Sequence, residues 1–281
     1  MLKSLAKRLL RPVLGKVAAQ PAYLAMYRLS LLGMNYIDAG VLSYGGEDRA
    51  FEHVIKTLAR RYPPDEPITV FDVGANVGKY SLMAVPRLLP TFPAGQVHAF
   101  EPSVATCRQL AQNVKGIDAI HIHRMALSDR PGASTLYQIA EGSGYASLYN
   151  RENGSLGKYG LKTTIIEEVQ LSTIDMFCLE NGIGHIHLLK IDAEGHEFNI
   201  LRGAQSMLES GAIDSIQFEF SEGCIDSRTF FKDFFDLLRR QYTISRILRN
   251  GLYPLPKYSE DLEIFSTSNF LAERRREEVN G

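Results

Sequence analysis

The sequence predicts an α/β fold: a doubly wound, mostly parallel sheet of about seven strands behind an N-terminal helical extension. Three observations carry this expectation. From residue 68 onward short apolar runs alternate with helical patterns, glycines cluster where the first run gives way to a helix, and an acid ends the second run.

Residues 1–64 read as helical and close in YPPDEP (62–67), where prolines stop a helix, so the main domain is expected over 65–281. The opening segment MLKSLAKRLLRPVLGK carries Lys3, Lys7, Arg8, Arg11 and Lys16 without an acid, and spaces Leu2, Leu5, Leu9 and Leu10 along a helix. A packing helix with a basic outer face is the plainer reading, because Pro12 shortens the run; peripheral membrane contact is the alternative.

ITVFDV reads as a buried strand followed by a helix from about Val77, QVHAFE as a second strand followed by a helix from Ser103 to about Lys115, and AIHIHRMAL as a third strand. Such a βαβαβ run implies parallel pairing. HIHLLKID (185–192) and AIDSIQFEF (212–220) read as fourth and fifth strands, each leading into a helix. In the second of these helices, Arg228 to Arg240, residues Phe230, Phe231, Phe234, Phe235, Leu237 and Leu238 form one apolar core face. YTISRIL (242–248) and LEIFSTSNFLAE read as a closing hairpin. The glycine-, serine- and tyrosine-rich stretch EGSGYASLYNRENGSLGKYGLK (141–162) breaks the alternation and reads as a substrate loop.

Composition narrows the function. A formal charge of -1 with 22% charged residues argues against general nucleic-acid binding. Cys107, Cys178 and Cys224 lack CxxC spacing, which argues against a zinc ribbon or disulfide framework and fits a reducing, cytoplasmic compartment. The apolar stretch Pro21 to Ile37 is broken by Arg28 and is not expected to span a membrane.

The sharpest motif is VFDVGANVG (70–78), with Asp72, Gly74, Asn76 and Gly78 at a strand-to-helix turn. Glycines there let a ligand approach the backbone, and the helix start offers unpaired N–H groups. The spacing is not GxGxxG, and the acid before the first glycine would repel a pyrophosphate. It is compatible with the cationic amino and sulfonium groups of S-adenosylmethionine. Glu101, at the tip of the second strand and followed by Pro102, is placed to accept both ribose hydroxyls. ALSD (126–129) leaves the third strand near the same edge, where Ser128 or Asp129 would meet the adenine amino group, with a simple turn as the equal alternative.

These motifs, FDVGANVGKYS (71–81), HAFEPS (98–103), ALSD, LLKIDAEGHEFNILRGA (188–204) and IQFEF (216–220), occur in an order that resembles the FkbM-type methyltransferase family. GMNY (33–36) and GGED (45–48) resemble its N-terminal extension more loosely. The resemblance implies a class I methyltransferase fold, S-adenosylmethionine as donor, and O-methylation of sugar hydroxyls in glycans, glycolipids or glycosylated natural products. A carbohydrate or glycosylated acceptor is therefore the expected partner, the alternatives being methylation of a peptide, amine or other small molecule, or a module that binds the cofactor without turnover.

Methylating a weakly acidic hydroxyl calls for alignment and a group that accepts its proton. KIDAEGHE (190–197) supplies candidates at the end of the fourth strand: Asp192 as base or hydroxyl orienter, His196 as an alternative base, and Glu194 with Glu197 as further carboxylates or helix caps. Lys190 reads as a partner for them. Asp192, Glu194 and His196 could offer ligands to a divalent metal, but the spacing is not HExxH and none is expected; the pairs His121/His123 and His185/His187 read as structural residues at the strands' starting ends. On the acceptor side Glu219 and the loop tyrosines Tyr145, Tyr149 and Tyr159 are the candidates, the tyrosines as flat faces for a sugar ring or as packing for the loop.

Overall fold

The computed structural model describes residues 14–36 and 45–275. The basic run therefore lies mostly outside the described residues, which begin at Leu14. Helix α1 (Gln20–Gly33) opens with Pro21, whose missing N–H is an orphan in a first turn anyway, and α2 (Glu47–Leu58) follows. Ala50, Phe51, Val54 and Leu58 of α2 share one core with Val70, Val97 and Ala99, so this part of the extension is built into the main body.

The principal sheet contains β1 (Thr69–Val73), β2 (Gln96–Phe100), β3 (Ile120–His123), β7 (Ile186–Ile191), β8 (Ile213–Phe220), β9 (Tyr242–Leu248), β10 (Gly251–Pro254) and β11 (Ser268–Arg274). Their order is β10-β9-β11-β8-β7-β1-β2-β3. Strands β8, β7, β1, β2 and β3 are parallel, and β11 runs antiparallel between β8 and β9. Helices α3 (Lys79–Leu88) and α4 (Val104–Asn113) supply the first crossovers. All residues of β7 and β8 are buried, as strands covered on both faces must be. Neighbouring residues split between the two faces: Val70 packs with α2, whereas Phe71 and Val73 pack with Phe177 and Phe218.

This is the doubly wound architecture expected, with eight strands in place of seven. The additional strand is β10, which folds back on β9 and carries Pro254 at the sheet's edge, where a missing donor costs least. The expected third strand also divides. It stops at His123, and Ala126–Leu127 (β4) joins β6 (Ile165–Ser172) and β5 (Gly132–Gln138) in a separate sheet ordered β4-β6-β5. Helices α5 (Ile174–Asn181), α6 (Glu197–Arg202) and α7 (Gln205–Glu209) flank β7.

Residues 141–162 lie in the β5–β6 connection, with one 3-10 turn at Gly157–Tyr159 and a bridge from Ser147 to Tyr137. After the short α8 (Gly223–Ser227), the Phe-rich helix α9 spans Phe231–Leu238 and buries Phe231, Phe234, Phe235 and Leu238. Phe230 and Leu237, expected in that core face, are exposed, because Phe230 precedes the helix and Leu237 turns outward. Among the described residues no helix is long and apolar enough to cross a membrane.

Candidate active site

A cavity of about 470 Å³ opens at the carboxyl ends of the parallel strands, beside β1. There the chain order reverses, running outward through β2 and β3 and then crossing to β7 and β8; such a switch point leaves a crevice between diverging connections. One wall is the turn after β1. Gly74 adopts φ +79°, and a Cβ there would lie 1.8 Å from the Asp192 carbonyl oxygen, so only glycine lets β1 and β7 come this close. The N–H groups of Gly74 and Ala75 donate to the Phe100 carbonyl at 3.0 and 2.9 Å, locking the turn to the tip of β2.

Glu101 lies at that tip and lines the cavity. Its Oε1 accepts from the Ser103 N–H at 2.9 Å and its Oε2 from the Asn76 N–H at 3.1 Å. Burial pushes the carboxyl up to about 7 despite these donors. Each oxygen keeps a lone pair for a further donor. Gly74, Asn76 and Pro102 border the same space, as do Met125, Ala126 and Leu127.

Four expected cofactor residues sit elsewhere. Asp72 is fully buried behind the wall, accepting from the Ser81 hydroxyl at 2.7 Å and lying 3.4 Å from Lys190 Nζ, so it acts on the cavity through Lys190 and not by contact. Ser128 is buried against His196, and Asp129 faces Arg202 at 3.6 Å. The chain pairs Ser128 with the end of β6, which turns both side chains away and leaves Met125–Leu127 on the cavity wall. Gly78 has φ +87° and packs on Leu110, helping α3 to start without touching the cavity.

The opposite wall is polar. Asp192, Glu194, Glu219, Lys190 and Tyr145 line it, joined by Glu47 from α2 and Arg151 from the loop. Burial opposes the Lys190 charge, but Asp192, Asp72 and Glu47 outweigh it and hold the ammonium firmly protonated. Lys190 Nζ bonds Asp192 Oδ2 at 3.2 Å. Glu47 accepts from Gln217, whose amide oxygen accepts from the Tyr80 hydroxyl. Burial pushes the carboxyls of Glu219 and Glu194 up, the latter to about 8 even though Arg151 Nη1 lies 2.7 Å from it.

His196 borders the cavity, but both ring nitrogens are engaged: Nε2 with the Ser128 hydroxyl at 2.9 Å and Nδ1 with the Tyr149 hydroxyl at 3.0 Å. Burial lowers its pKa to about 4, so the imidazole is a neutral tie between loop and sheet, with no free nitrogen for the base role considered for it. Glu197 opens α6 and accepts from the N–H groups of Ala193 and Gly195, which precede the helix, so it fastens the turn between β7 and α6 and does not cap the helix. Tyr149 is committed to His196 and Asn199, and Tyr159 does not border the cavity, so Tyr145 alone of the three tyrosines faces it.

The paired histidines lie outside the cavity. His123 ends β3 instead of starting it and stacks on His98, their nitrogens 3.0 Å apart. His185, His187 and Asp214 cluster at the opposite edge of the sheet with ligand atoms within 4.8 Å. However, His187 Nδ1 accepts the Thr69 N–H, leaving the proton of the neutral ring on Nε2, and Asp214 already pairs with Arg61 and Tyr62. This network fastens the end of the extension to the sheet.

Sequence reasoning missed Glu47, Arg151 and Met125, while ALSD marked the right segment, of which Ala126 and Leu127 are the residues that border the cavity. Glu47 and Arg151 arrive from segments distant along the chain, and only the placement of α2 and of the loop brings them to the cavity; the pair of glycines before Glu47 was the one local hint.

The chain matches the family described as "Methyltransferase FkbM domain" over residues 72–243. It is similar to the AMB antimetabolite synthetase AmbE of Pseudomonas aeruginosa, 30% identical over 50% of this chain and 8% of that protein. It is similar to the 31-O-demethyl-FK506 methyltransferase FkbM of Streptomyces tacrolimicus, 30% identical over 48% of this chain and 59% of the relative. It is also similar to the hexuronic acid methyltransferase AglP of Haloferax volcanii, 23% identical over 58% of this chain and 59% of the relative. The matches thus span less than two thirds of each relative's length.

Proposed function

The chain belongs to the FkbM methyltransferase family, and from that premise we propose that it transfers a methyl group from S-adenosylmethionine to a hydroxyl oxygen of a sugar-containing acceptor. The observation that carries this reading is one cavity at the switch point with Glu101 on its glycine-turn wall and Asp192 on the other. Hydroxyl methylation and a sugar acceptor draw support from the names of the FK506 and hexuronic acid relatives.

The residues present fit the donor. Glu101 is a buried carboxylate with acceptor capacity toward two vicinal hydroxyls, and Met125–Leu127 offer an apolar flank with backbone groups for an adenine. When bound, S-adenosylmethionine supplies a methyl on a cationic sulfur, poised for in-line attack by the acceptor oxygen.

Asp192 would orient that oxygen and take its proton as the new O–C bond replaces the methyl's bond to sulfur, with S-adenosylhomocysteine as the leaving group. Lys190, clamped by Asp72 and Asp192, fixes the Asp192 carboxylate against rotation. Tyr145 lies against the acceptor ring, and Glu219 accepts from one of its hydroxyls. Loop 141–162 forms the acceptor lid, held by Arg151 to Glu194 and by Tyr149 to His196. The assignment of 65–281 as the catalytic domain and a cytoplasmic setting belong to the same reading.

Calorimetric titration of cofactor-free protein with S-adenosylhomocysteine tests the donor half, and a micromolar one-to-one isotherm is expected. Mass analysis of simple glycosides incubated with protein and donor tests the acceptor half. Absence of S-adenosylhomocysteine binding by folded protein sinks the proposal.

A further inference from the structure

Helix α1 is apolar and nearly bare. Its sequence, QPAYLAMYRLSLLG, holds one charged residue, Arg28, and it buries only Leu31. Val17, just before it, and Leu29 within it are 88% and 69% exposed, and Leu24, Met26, Tyr27 and Leu32 are each more than half exposed. A helix apolar on all sides is normally enclosed, so this one presents a surface that water does not suit.

Among the described residues, polar contacts hold its C-terminal end to the body. The Ser268 hydroxyl donates to the Asn35 carbonyl at 3.0 Å, the Asn35 amide donates to the Ile247 carbonyl at 3.0 Å, and the Arg246 guanidinium lies 4.5 Å from the centre of the buried Tyr36 ring. The helix is therefore tied to the body at that end, where Leu31 also joins the core, while most of its other apolar side chains stay exposed and Tyr23 is part-buried. Thr267, between the serines that donate to the Asn35 and Tyr36 carbonyls, lines the cavity, so α1 leaves the body near the cavity.

Charge identifies the occupant. From residue 1 to residue 37 the chain carries six cations, Lys3, Lys7, Arg8, Arg11, Lys16 and Arg28, and no acid. Two copies packed through this helix would bring like charges together, whereas anionic phospholipid headgroups complement them. With 14 residues, α1 is about 21 Å long, too short to cross a bilayer but suited to its interface.

We propose that α1 and the basic residues before it dock on the surface of a membrane rich in anionic phospholipid, with the apolar side chains among the upper acyl chains and the cations on the headgroups. This assignment is independent of the methyl-transfer reading.

The test is sedimentation of the full chain with vesicles of phosphatidylcholine alone or mixed with phosphatidylglycerol, with light scattering of the vesicle-free protein alongside. The protein is expected to sediment with the anionic vesicles, less at high salt, and to stay in solution with phosphatidylcholine. The triple variant Leu24→Ser, Leu29→Ser, Leu32→Ser alters exposed side chains only, and its partitioning should fall by at least about tenfold. Thermal unfolding at the wild-type temperature would show that it remains folded. Protein that ignores anionic vesicles, a triple variant that binds them equally well, or a dimer dissolved by the same substitutions without any vesicle binding would each overturn the proposal.

Discussion

Burial and two backbone donors pull the Glu101 carboxyl in opposite directions, and burial wins, leaving it near half-ionised at neutral pH. Hydroxyl donors from a ribose favour the ionised form, so ligand binding must release a proton wherever the free carboxyl holds one. Affinity for S-adenosylhomocysteine is accordingly lowest below the free value of about 7 and rises to a plateau above it. Calorimetry between pH 6 and pH 8 should show that rise, and Glu101→Gln should flatten it. Glu101→Ala should weaken binding by about 2 kcal/mol, on the order of 30-fold, through loss of charge-assisted bonds. Asp192 stands across the cavity with its side chain 36% exposed, and in the proposed reading it serves the reaction and not donor binding. Asp192→Asn should leave S-adenosylhomocysteine affinity within about twofold and lower kcat by at least about 100-fold, the usual scale for a proton acceptor. A fully active variant would end its catalytic assignment.

Loop 141–162 shows how an element without regular structure is held in place. Arg151 is 2% exposed, and its contact with Glu194 joins the loop to the residues following β7, while Tyr149 reaches His196 and Ser147 donates to the Glu194 carbonyl at 2.8 Å. Arg151→Met keeps the bulk and removes the charge, leaving a carboxyl that is 20% exposed without its cation. The expected loss is about 2 kcal/mol, below the figure for a fully buried pair because water reaches Glu194. Limited proteolysis should then cut within 141–162 in the variant well before the wild type; equal cleavage would show the pair to be dispensable. The loop's presence was legible in its glycines and serines, but its anchors were not, since an arginine amid polar residues gives no sign that it will be buried. The strands β5 and β6 were missed for a related reason. GASTLYQ and IIEEVQLS lie mostly on an exposed surface, so their apolar positions are too few to mark a period.

At the scale of the whole molecule, the central strands and the glycine-turn wall of the cavity were readable because each is encoded locally, in a run such as TVFDV or a turn such as GANVG. The opposite, polar wall was not, because it is assembled from β7, β8, the loop and the extension, and no local pattern records which distant residue will face the cavity. Glu47 illustrates this: it reaches Gln217 only because α2 packs against β1 and α3, through Phe51 against Tyr80 among others. The extension and the catalytic body should therefore lose structure together. Phe51→Ala removes a fully buried ring and should cost about 3–4 kcal/mol, the usual range for such truncations. Because that core also supports the wall carrying Glu47, the loss of S-adenosylhomocysteine binding and the loss of helical signal in urea should shift to lower concentration by the same amount. Two separated transitions, with binding retained after the helical signal falls, would mean that the extension unfolds alone and that Glu47 is not needed to keep the cavity formed.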